Sequence, residues 1–166
     1  MTVVKSGGIM DTSQRDEGAM YSFNGRFNNR LDDKNRIRIP AKYKAELEAG
    51  YKLAFGPDKT IYVLPYEEYK KILDSFGSVS IFDTETQDAI AEFTGMVFDV
   101  TEDNQGRIVI PQELKEHAEI DKEIVIVGAA TYLRIESAEN FAKRNSGKNI
   151  NNVFAKLKNL GAGRAE

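Results

Sequence analysis

Hydrophobic and polar residues alternate along several short stretches of the chain, which is typical of strands that bury one face. In the first such stretch Phe27 and Leu31 share a face, and Ile37 and Ile39 follow as an inward pair after a polar turn at 32–35. The pattern predicts a hairpin whose apolar face packs inward and whose charged face points outward.

The same pattern predicts further hairpins and short helices along the chain. In order, the predicted elements are strands over 23–31 and 36–39, a short helix over 41–48, a hairpin over 53–64, helices over 65–76 and 84–94, strands over 96–100 and 107–110, a short helix over 112–118, a hairpin over 123–135 and a helix over 138–144. Pro40 fits the first turn of its short helix, where its missing N–H costs nothing.

One motif occurs twice. RIRIP at Arg36–Pro40 corresponds to RIVIP at Arg107–Pro111 after a shift of 71 residues, and a second hairpin follows at a shift of 72. A repeat of this length predicts one supersecondary unit written twice, over 31–69 and 102–141. In this correspondence Pro111 takes the place of Pro40.

Each copy carries an aspartate four residues before an arginine. Asp32 precedes Arg36 and Asp103 precedes Arg107, a spacing that lets carboxylate and guanidinium meet across a hairpin turn. One interpretation is that the aspartates fasten the turns and orient the arginines. The other is that an arginine held in this way presents N–H donors to a phosphate or a guanine edge. The two interpretations are compatible.

Charge is unevenly distributed along the chain. The formal net charge is −3, but residues 21–44 carry seven Lys or Arg against two Asp, whereas residues 81–98 carry four acids and no base. A concentrated basic patch attracts a phosphate backbone despite an acidic total. The candidate residues for contact with a polyanion such as DNA are the bases of the first copy together with Arg30 just before it: Arg30, Lys34, Arg36, Arg38, Lys42 and Lys44. An ordinary solvated face is the alternative, and charge alone favours neither.

The ends of the chain differ from the patterned middle. Residues 1–20 are rich in Gly, Ser, Thr and acids and are predicted to be a flexible leader, with Met20 as an alternative start. Residues 146–166 are predicted to form a basic amphipathic tail, with Ile150, Val153, Phe154 and Leu157 at helical spacing. Docking of this helix on its own domain or on a neighbour is favoured over contact with a membrane or DNA.

Composition excludes several functional classes. The chain has 166 residues, no cysteine and no apolar run near 18 residues, so disulfides and membrane spans are not expected, and a cytoplasmic location is. His117 is the only histidine, and no metal cluster, phosphate loop or nucleophile elbow is present. A carboxylate dyad of Asp32 and Asp103 is disfavoured because each has its own arginine. No enzymatic activity, cofactor, metal or small-molecule substrate is predicted.

The doubled motif resembles that of the MraZ family, bacterial transcriptional regulators of the division and cell-wall gene cluster. The resemblance is carried by FNGRFNNRLDDKNRIRIPAKYK, VTEDNQGRIVIPQEL and IVIVGAATYLRIES, and it covers about residues 21–145. It implies an α+β fold of two tandem AbrB/MraZ-like ββαββα repeats, at 21–80 and 96–145, joined by a connecting helix at 81–95. The repeats would form an intertwined swapped-hairpin β-barrel with flanking helices.

The resemblance also implies a function. Members assemble as homo-oligomers, expected here as a closed ring, and bind direct repeats in promoter double-stranded DNA, generally as repressors, in the cytoplasm and at the nucleoid. The family implicates the arginine of the first motif, Arg36 here, in DNA binding. Asn35 stands where the family usually has glycine, and asparagine tolerates the same backbone. The alternative is an antitoxin-like, protein-binding module of the AbrB fold.

Overall fold

The structure is a computed structural model that describes residues 22–160. The predicted leader at 1–20 and the last six residues of the predicted tail lie outside the described residues. The strands are β1 (Arg26–Arg30), β2 (Arg36–Arg38), β3 (Tyr51–Gly56), β4 (Thr60–Pro65), β5 (Val97–Asp99), β6 (Arg107–Val109), β7 (Glu123–Gly128) and β8 (Leu133–Ser137). The α-helices are α1 (Tyr66–Phe76), α2 (Thr84–Thr94), α3 (Gln112–His117), α4 (Ala138–Asn145) and α5 (Ile150–Leu157).

Six strands form one antiparallel sheet in the order β1-β7-β8-β4-β3-β5. β1 pairs with β7, which lies almost 100 residues later, whereas β5 pairs with β3, which precedes it. Each half of the chain therefore adds its first strand to the outer edge of the hairpin from the other half. The strand order stays the same when every strand is exchanged for the one that corresponds to it in the sequence repeat.

A second sheet consists of β2 and β6 alone, and we call it the ribbon. The two strands run antiparallel, with Ile37 opposite Ile108. Both side chains are buried, as are those of Ile39 and Ile110 just beyond the strands. The inward pairs predicted from alternation are thus confirmed, and they join a single apolar cluster with the larger sheet. The hairpin predicted over the same stretch is wrong, because β1 pairs with β7 and β2 pairs with β6, both from the other half of the chain.

Two backbone segments cross closely at the end of the β1–β7 pair. Phe23 forms an isolated bridge with Ala130, and Gly128 passes directly under the chain at Asn24. A Cβ at Gly128 would lie 2.4 Å from the backbone nitrogen of Asn24, which is too short for any real contact. Glycine is therefore needed here because of the close backbone approach. The predicted strand over 23–31 is correspondingly shorter, since only Arg26–Arg30 forms a continuous ladder.

The first short helix is tighter than predicted. Residues 41–48 were expected to be α-helical, but Ala41–Tyr43 is a 3-10 helix followed by turns, whereas α3 is an α-helix. Tyr43 is fully buried beside the ring of Phe23, and its hydroxyl donates to the carbonyl of Asn24. We attribute the tighter turn to this large anchored ring, because Leu114 fills the corresponding position in α3.

The connecting helices lie on the outside of the sheet. α2 has the predicted bounds, and α1 begins one residue after Pro65, which closes β4. Neither helix contains a fully buried residue. The ring of Phe93 on α2 contacts Phe76 of α1 and Phe55 of β3, with centroids 6.1 and 5.7 Å apart. The apolar side chains of α1 are therefore only partly covered, and Leu73 is 42% exposed.

The central packing of the ribbon generates a stability prediction. Ile108→Ala should lower the free energy of unfolding by about 2–5 kcal/mol, because it leaves a cavity in the buried core. Val109→Ala, the next residue, should change it by less than about 0.5 kcal/mol because Val109 is exposed. Urea denaturation at one protein concentration measures both. Equal losses would contradict the burial of the ribbon.

Candidate nucleic-acid interface

The first Asp–Arg motif forms a clamp across the turn between β1 and β2. One carboxylate oxygen of Asp32, Oδ1, accepts hydrogen bonds from the backbone N–H groups of Lys34 and Arg36, each at 2.9 Å. Its Oδ2 accepts from Nε of Arg36 at 2.7 Å. Asn35 takes the positive φ of 58° that the turn requires, so the prediction that asparagine replaces glycine here is confirmed. Asp32 therefore fixes both the turn and the direction of the guanidinium.

The second motif repeats this geometry. Asp103 Oδ1 accepts from the N–H groups of Gln105 and Arg107, each at 2.9 Å, and Oδ2 accepts from Nε of Arg107 at 2.8 Å. Gly106 has the positive φ, 75°. In both copies the aspartate thus accepts from two N–H groups of its turn and from one guanidinium.

The ribbon brings the two clamps together. Nη1 of Arg36 lies 3.9 Å from Oδ2 of Asp103, and Nη1 of Arg107 lies 4.0 Å from Oδ2 of Asp32. The side chains are 23–35% exposed, so the cluster is half-buried but open to solvent. A guanidinium has five N–H donors, and the clamp engages one of them closely. Each arginine thus keeps donors for an outside partner while its position is fixed.

The electrostatics of the cluster favour ionised aspartates. For Asp32, partial burial acts to raise the pKa, but hydrogen bonds from the N–H groups of Arg36 and Lys34 and from the guanidinium outweigh it and lower the pKa. For Asp103, the hydrogen bond from the N–H of Arg107 is the largest cause and also lowers the pKa. Both clamps therefore hold charged pairs at neutral pH.

The remaining predicted bases fall into two groups. Lys34 lies exposed on the turn, and Arg38 is exposed on the ribbon, where its Nε donates to the carbonyl of Gln105 at 3.1 Å. Arg30 pairs with Glu123 at 3.0 Å, with both side chains more than 60% exposed. Such surface pairs contribute little and exchange readily. These three bases can therefore turn to an outside anion.

The other two lysines are held within the fold. Lys42 Nζ donates to the side-chain oxygen of Asn24 at 2.8 Å and lies over the rings of Phe27 and Tyr43. Lys44 pairs with Glu102 at 2.6 Å, where both side chains are about one-third exposed. Lys44 is therefore neutralised by a carboxylate that lies 58 residues away in the sequence.

The prolines of the two motifs and the single histidine of the chain have structural positions. Pro40 and Pro111 each occupy the residue before a short helix rather than its first turn, with φ of −52° and −55°. His117 is half-buried against the ring of Phe55, and its Nε2 lies 2.7 Å from the carbonyl of Gly56. Because a carbonyl only accepts, Nε2 carries the shared proton. His117 therefore ties α3 to the end of β3.

Two features of the structure escaped the sequence analysis. Val109 is 57% exposed on the outward face of the ribbon, opposite Arg36, and its apolar identity in an outward position was the available signal. Glu136 is fully buried and accepts from Arg144 at 2.7 Å, with Arg134 Nε at 3.4 Å. Alternation places Glu136 on an outer face, but α4 covers that face, and no local pattern reveals the covering.

Within residues 22–160, no group of three or more acidic or histidine side chains is arranged to hold a metal ion. In the same range no helix has the length and hydropathy needed to cross a membrane.

The clamps generate a prediction about pH. A lowered folded-state pKa gives stability that is complete above the ordinary value of 3.8 and is lost as pH falls through the lowered value. The double variant Asp32→Asn, Asp103→Asn should be less stable at neutral pH and should lose much of this acid dependence. Urea midpoints on either side of pH 3.8 measure it.

Asp33→Asn is the control, because it removes one carboxylate from the first of these turns at a side chain that is 99% exposed. It should retain the acid dependence of the unmodified chain. A double variant whose midpoints fall with acid as steeply as those of the control would contradict the assigned clamps.

The chain is similar to curated proteins along most of its length. The family model described as "MraZ protein, putative antitoxin-like" matches residues 95–160. "Transcriptional regulator MraZ" of Clostridium acetobutylicum is 34% identical over 140 residues, which is 84% of this chain and 99% of that protein. The protein of the same name from Kocuria rhizophila is 35% identical over 116 residues, covering 70% of this chain and 81% of the relative. The same name is carried by a relative from Clostridium tetani that is 31% identical over 140 residues, 84% of this chain and 99% of its own. On this similarity, and with the Asp–Arg motif present twice, the chain belongs to the MraZ family.

Proposed function

We propose that the chain is a transcriptional regulator that binds double-stranded DNA through the outward face of the ribbon. Its targets would be direct repeats in promoters of the bacterial division and cell-wall gene cluster, where it acts as a repressor in the cytoplasm and at the nucleoid. The relatives named as transcriptional regulators support this function. The observation that carries it is the arrangement of arginines on the ribbon.

That arrangement follows from strand register. Arg36 lies opposite Val109, and Arg38 lies opposite Arg107, so four neighbouring outward positions hold three arginines and one valine. A two-stranded antiparallel ribbon fits the major groove of B-DNA, where bidentate arginine contacts to guanine are the commonest specific contacts. Val109, in turn, is suited to the methyl group of a thymine.

We divide the basic residues into those that would recognise bases and those that would position the protein on the DNA backbone. The clamped guanidinium of Arg36 is pre-oriented, so we assign it to a base edge or to a phosphate held at fixed geometry. We assign Lys34, Arg38 and Arg30 to phosphates, which position a protein on DNA without reading sequence. Lys42 and Lys44 flank this face and contribute less, because both have partners within the fold.

We further propose that the exchanged strands reflect a tandem AbrB/MraZ-like architecture. In it, residues 21–80 and 96–145 form two repeats of an intertwined swapped-hairpin barrel, joined by the segment 81–95. The palindromic strand order and the central ribbon support this division. One DNA-facing patch per chain makes few phosphate contacts, so tight binding would require several copies at fixed spacing. A closed homo-oligomeric ring supplies them at high effective concentration.

A second candidate function is that of an antitoxin-like, protein-binding module. It is favoured by the antitoxin-like description of the matching family model and by helix α5, whose apolar residues are exposed. Co-purification of a small partner protein together with loss of DNA binding would favour this candidate over the first.

The two clamps allow an internally controlled test of DNA binding. Arg36→Ala should weaken binding to DNA from upstream of the encoding operon by about 10–100-fold, because a pre-oriented charged contact to a base edge or a phosphate is lost. Arg107→Ala removes an equally clamped guanidinium from the less basic copy and should weaken binding less. Gel shifts at one salt concentration, with assembly mass checked by light scattering, measure both. Unchanged binding by Arg36→Ala would reject its assigned role.

The phosphate contacts are tested by salt. Arg38→Ala should weaken binding similarly for specific and unrelated DNA, and it should reduce the slope of log affinity against log salt by about 1. Lys44→Ala is the control, because its charge is already paired with Glu102. A slope unchanged by Arg38→Ala, or reduced as much by Lys44→Ala, would contradict the division of roles.

A further inference from the structure

Two apolar surfaces are uncovered within residues 22–160 and concern us here, and the first is a groove. It has a volume of about 390 Å³ and lies between strand β4, the turn that precedes β8, and helices α1 and α2. Its lining is apolar and aromatic apart from Thr131 and the carboxylate of Glu68; the lining residues that matter here are Tyr62, Leu64, Ile72, Phe76, Phe93 and Tyr132. Grooves of this kind take up the apolar face of an amphipathic helix.

The second surface is the tail helix α5. Asn149 caps its N-terminus by accepting from the N–H of Asn151 at 2.8 Å, so the helix is well defined. Every residue from 146 to 160 is nevertheless exposed. The apolar residues occupy one side at positions i, i+3, i+4 and i+7, with exposed fractions of 38% to 67%: Ile150, Val153, Phe154 and Leu157. This is the spacing with which helices anchor in a groove.

The two surfaces also have opposite charge. Residues 66–95, which include α1 and α2, carry seven acids and two lysines. Residues 148–160, which include α5, carry three lysines and no acid. Opposite charges around a shared apolar contact favour the encounter and fix its orientation.

We propose that α5 of one copy of this chain docks in the groove of a second copy. In the structure α5 stands clear of its own body, and a linker at 146–149 separates it from α4. Groove and helix are different surfaces, so a contact between two copies leaves one groove and one helix free. Such a heterologous contact continues until it closes on itself. The proposal rests on the ring of the proposed function and names the contact that builds it.

Cross-linking tests which chain supplies the helix. The protein has no cysteine, so introduced thiols are the only ones present. Chains carrying Phe154→Cys and chains carrying Ile72→Cys, with different affinity tags, should form a mixed disulfide-linked dimer on oxidation. Val109→Cys replaces Ile72→Cys in the control pair, because Val109 is exposed but does not line the groove. Formation of the mixed dimer only with Ile72→Cys supports the proposal.

The opposite results overturn it. A chain with both Phe154→Cys and Ile72→Cys that forms only an internal disulfide places α5 in its own groove. Equal cross-linking of both pairs, or none in either, removes the specific contact. Each of these outcomes can occur while DNA binding persists, so the proposed function would stand. A mixed dimer without any gel shift would instead reject the proposed function and leave this contact in place.

A charge variant tests the contribution to assembly. Phe154→Asp should reduce the assembly mass measured by light scattering at least twofold, because it places a carboxylate in the apolar contact. Asn152→Asp adds the same charge to the opposite side of α5 and should leave the mass unchanged. Both positions are exposed in the single chain, so neither change disturbs its core. An unchanged mass for Phe154→Asp, or an equal fall for both, would contradict the proposal.

Discussion

The antiparallel pairing of β2 with β6 is the constraint on which the rest of the molecule depends. It places Ile37 opposite Ile108 in the centre of the core, at the point where the two halves of the chain meet. The inward isoleucines can be buried only in this register, because a slip of one residue would turn them to solvent. The same register fixes the outward side chains, so the packing of the core determines which arginines stand side by side. The proposed binding surface is therefore determined by the packing of the core.

The two halves share a scaffold but differ in charge. Both keep the aspartate that holds the turn, and in both it accepts from two backbone N–H groups and one guanidinium. Only the first half keeps a row of outward bases, since Val109 stands where Arg38 would repeat. The clamp is therefore a structural feature that both halves share, whereas the row of bases is found in the first half alone. A duplicated strand–turn–strand unit would allow one copy to specialise in the proposed DNA binding while the other completes the core.

The sequence predicted the local features of this arrangement and missed the distant ones. Alternation and the repeat predicted the ribbon residues, the Asp–Arg clamps and the bounds of α2, because each depends on neighbours a few positions apart. The exchange of β1 and β5 between the halves leaves no mark in the alternation of apolar and polar residues. Its prediction depended on the family resemblance. Lys44 was a candidate for DNA contact on its charge alone, but Glu102 reaches it only after the halves assemble. The 3-10 turn at Ala41–Tyr43 likewise reflects a tertiary contact, the buried ring of Tyr43.

The outward face of the ribbon and the groove are separate surfaces, which would allow one small chain to bind DNA and to assemble with other copies at the same time. The ribbon residues that face outward and the residues that line the groove have no member in common. Docking of α5 would therefore leave Arg36 and Arg38 accessible, and DNA bound at the ribbon would leave the groove free. Because each patch alone would make few phosphate contacts, the affinity of the proposed assembly for repeated sites would depend on the spacing of the patches more than on any single contact. In such an assembly the clamps would hold one guanidinium at the same position in every subunit, so the spacing of the arginines would be the same from one subunit to the next.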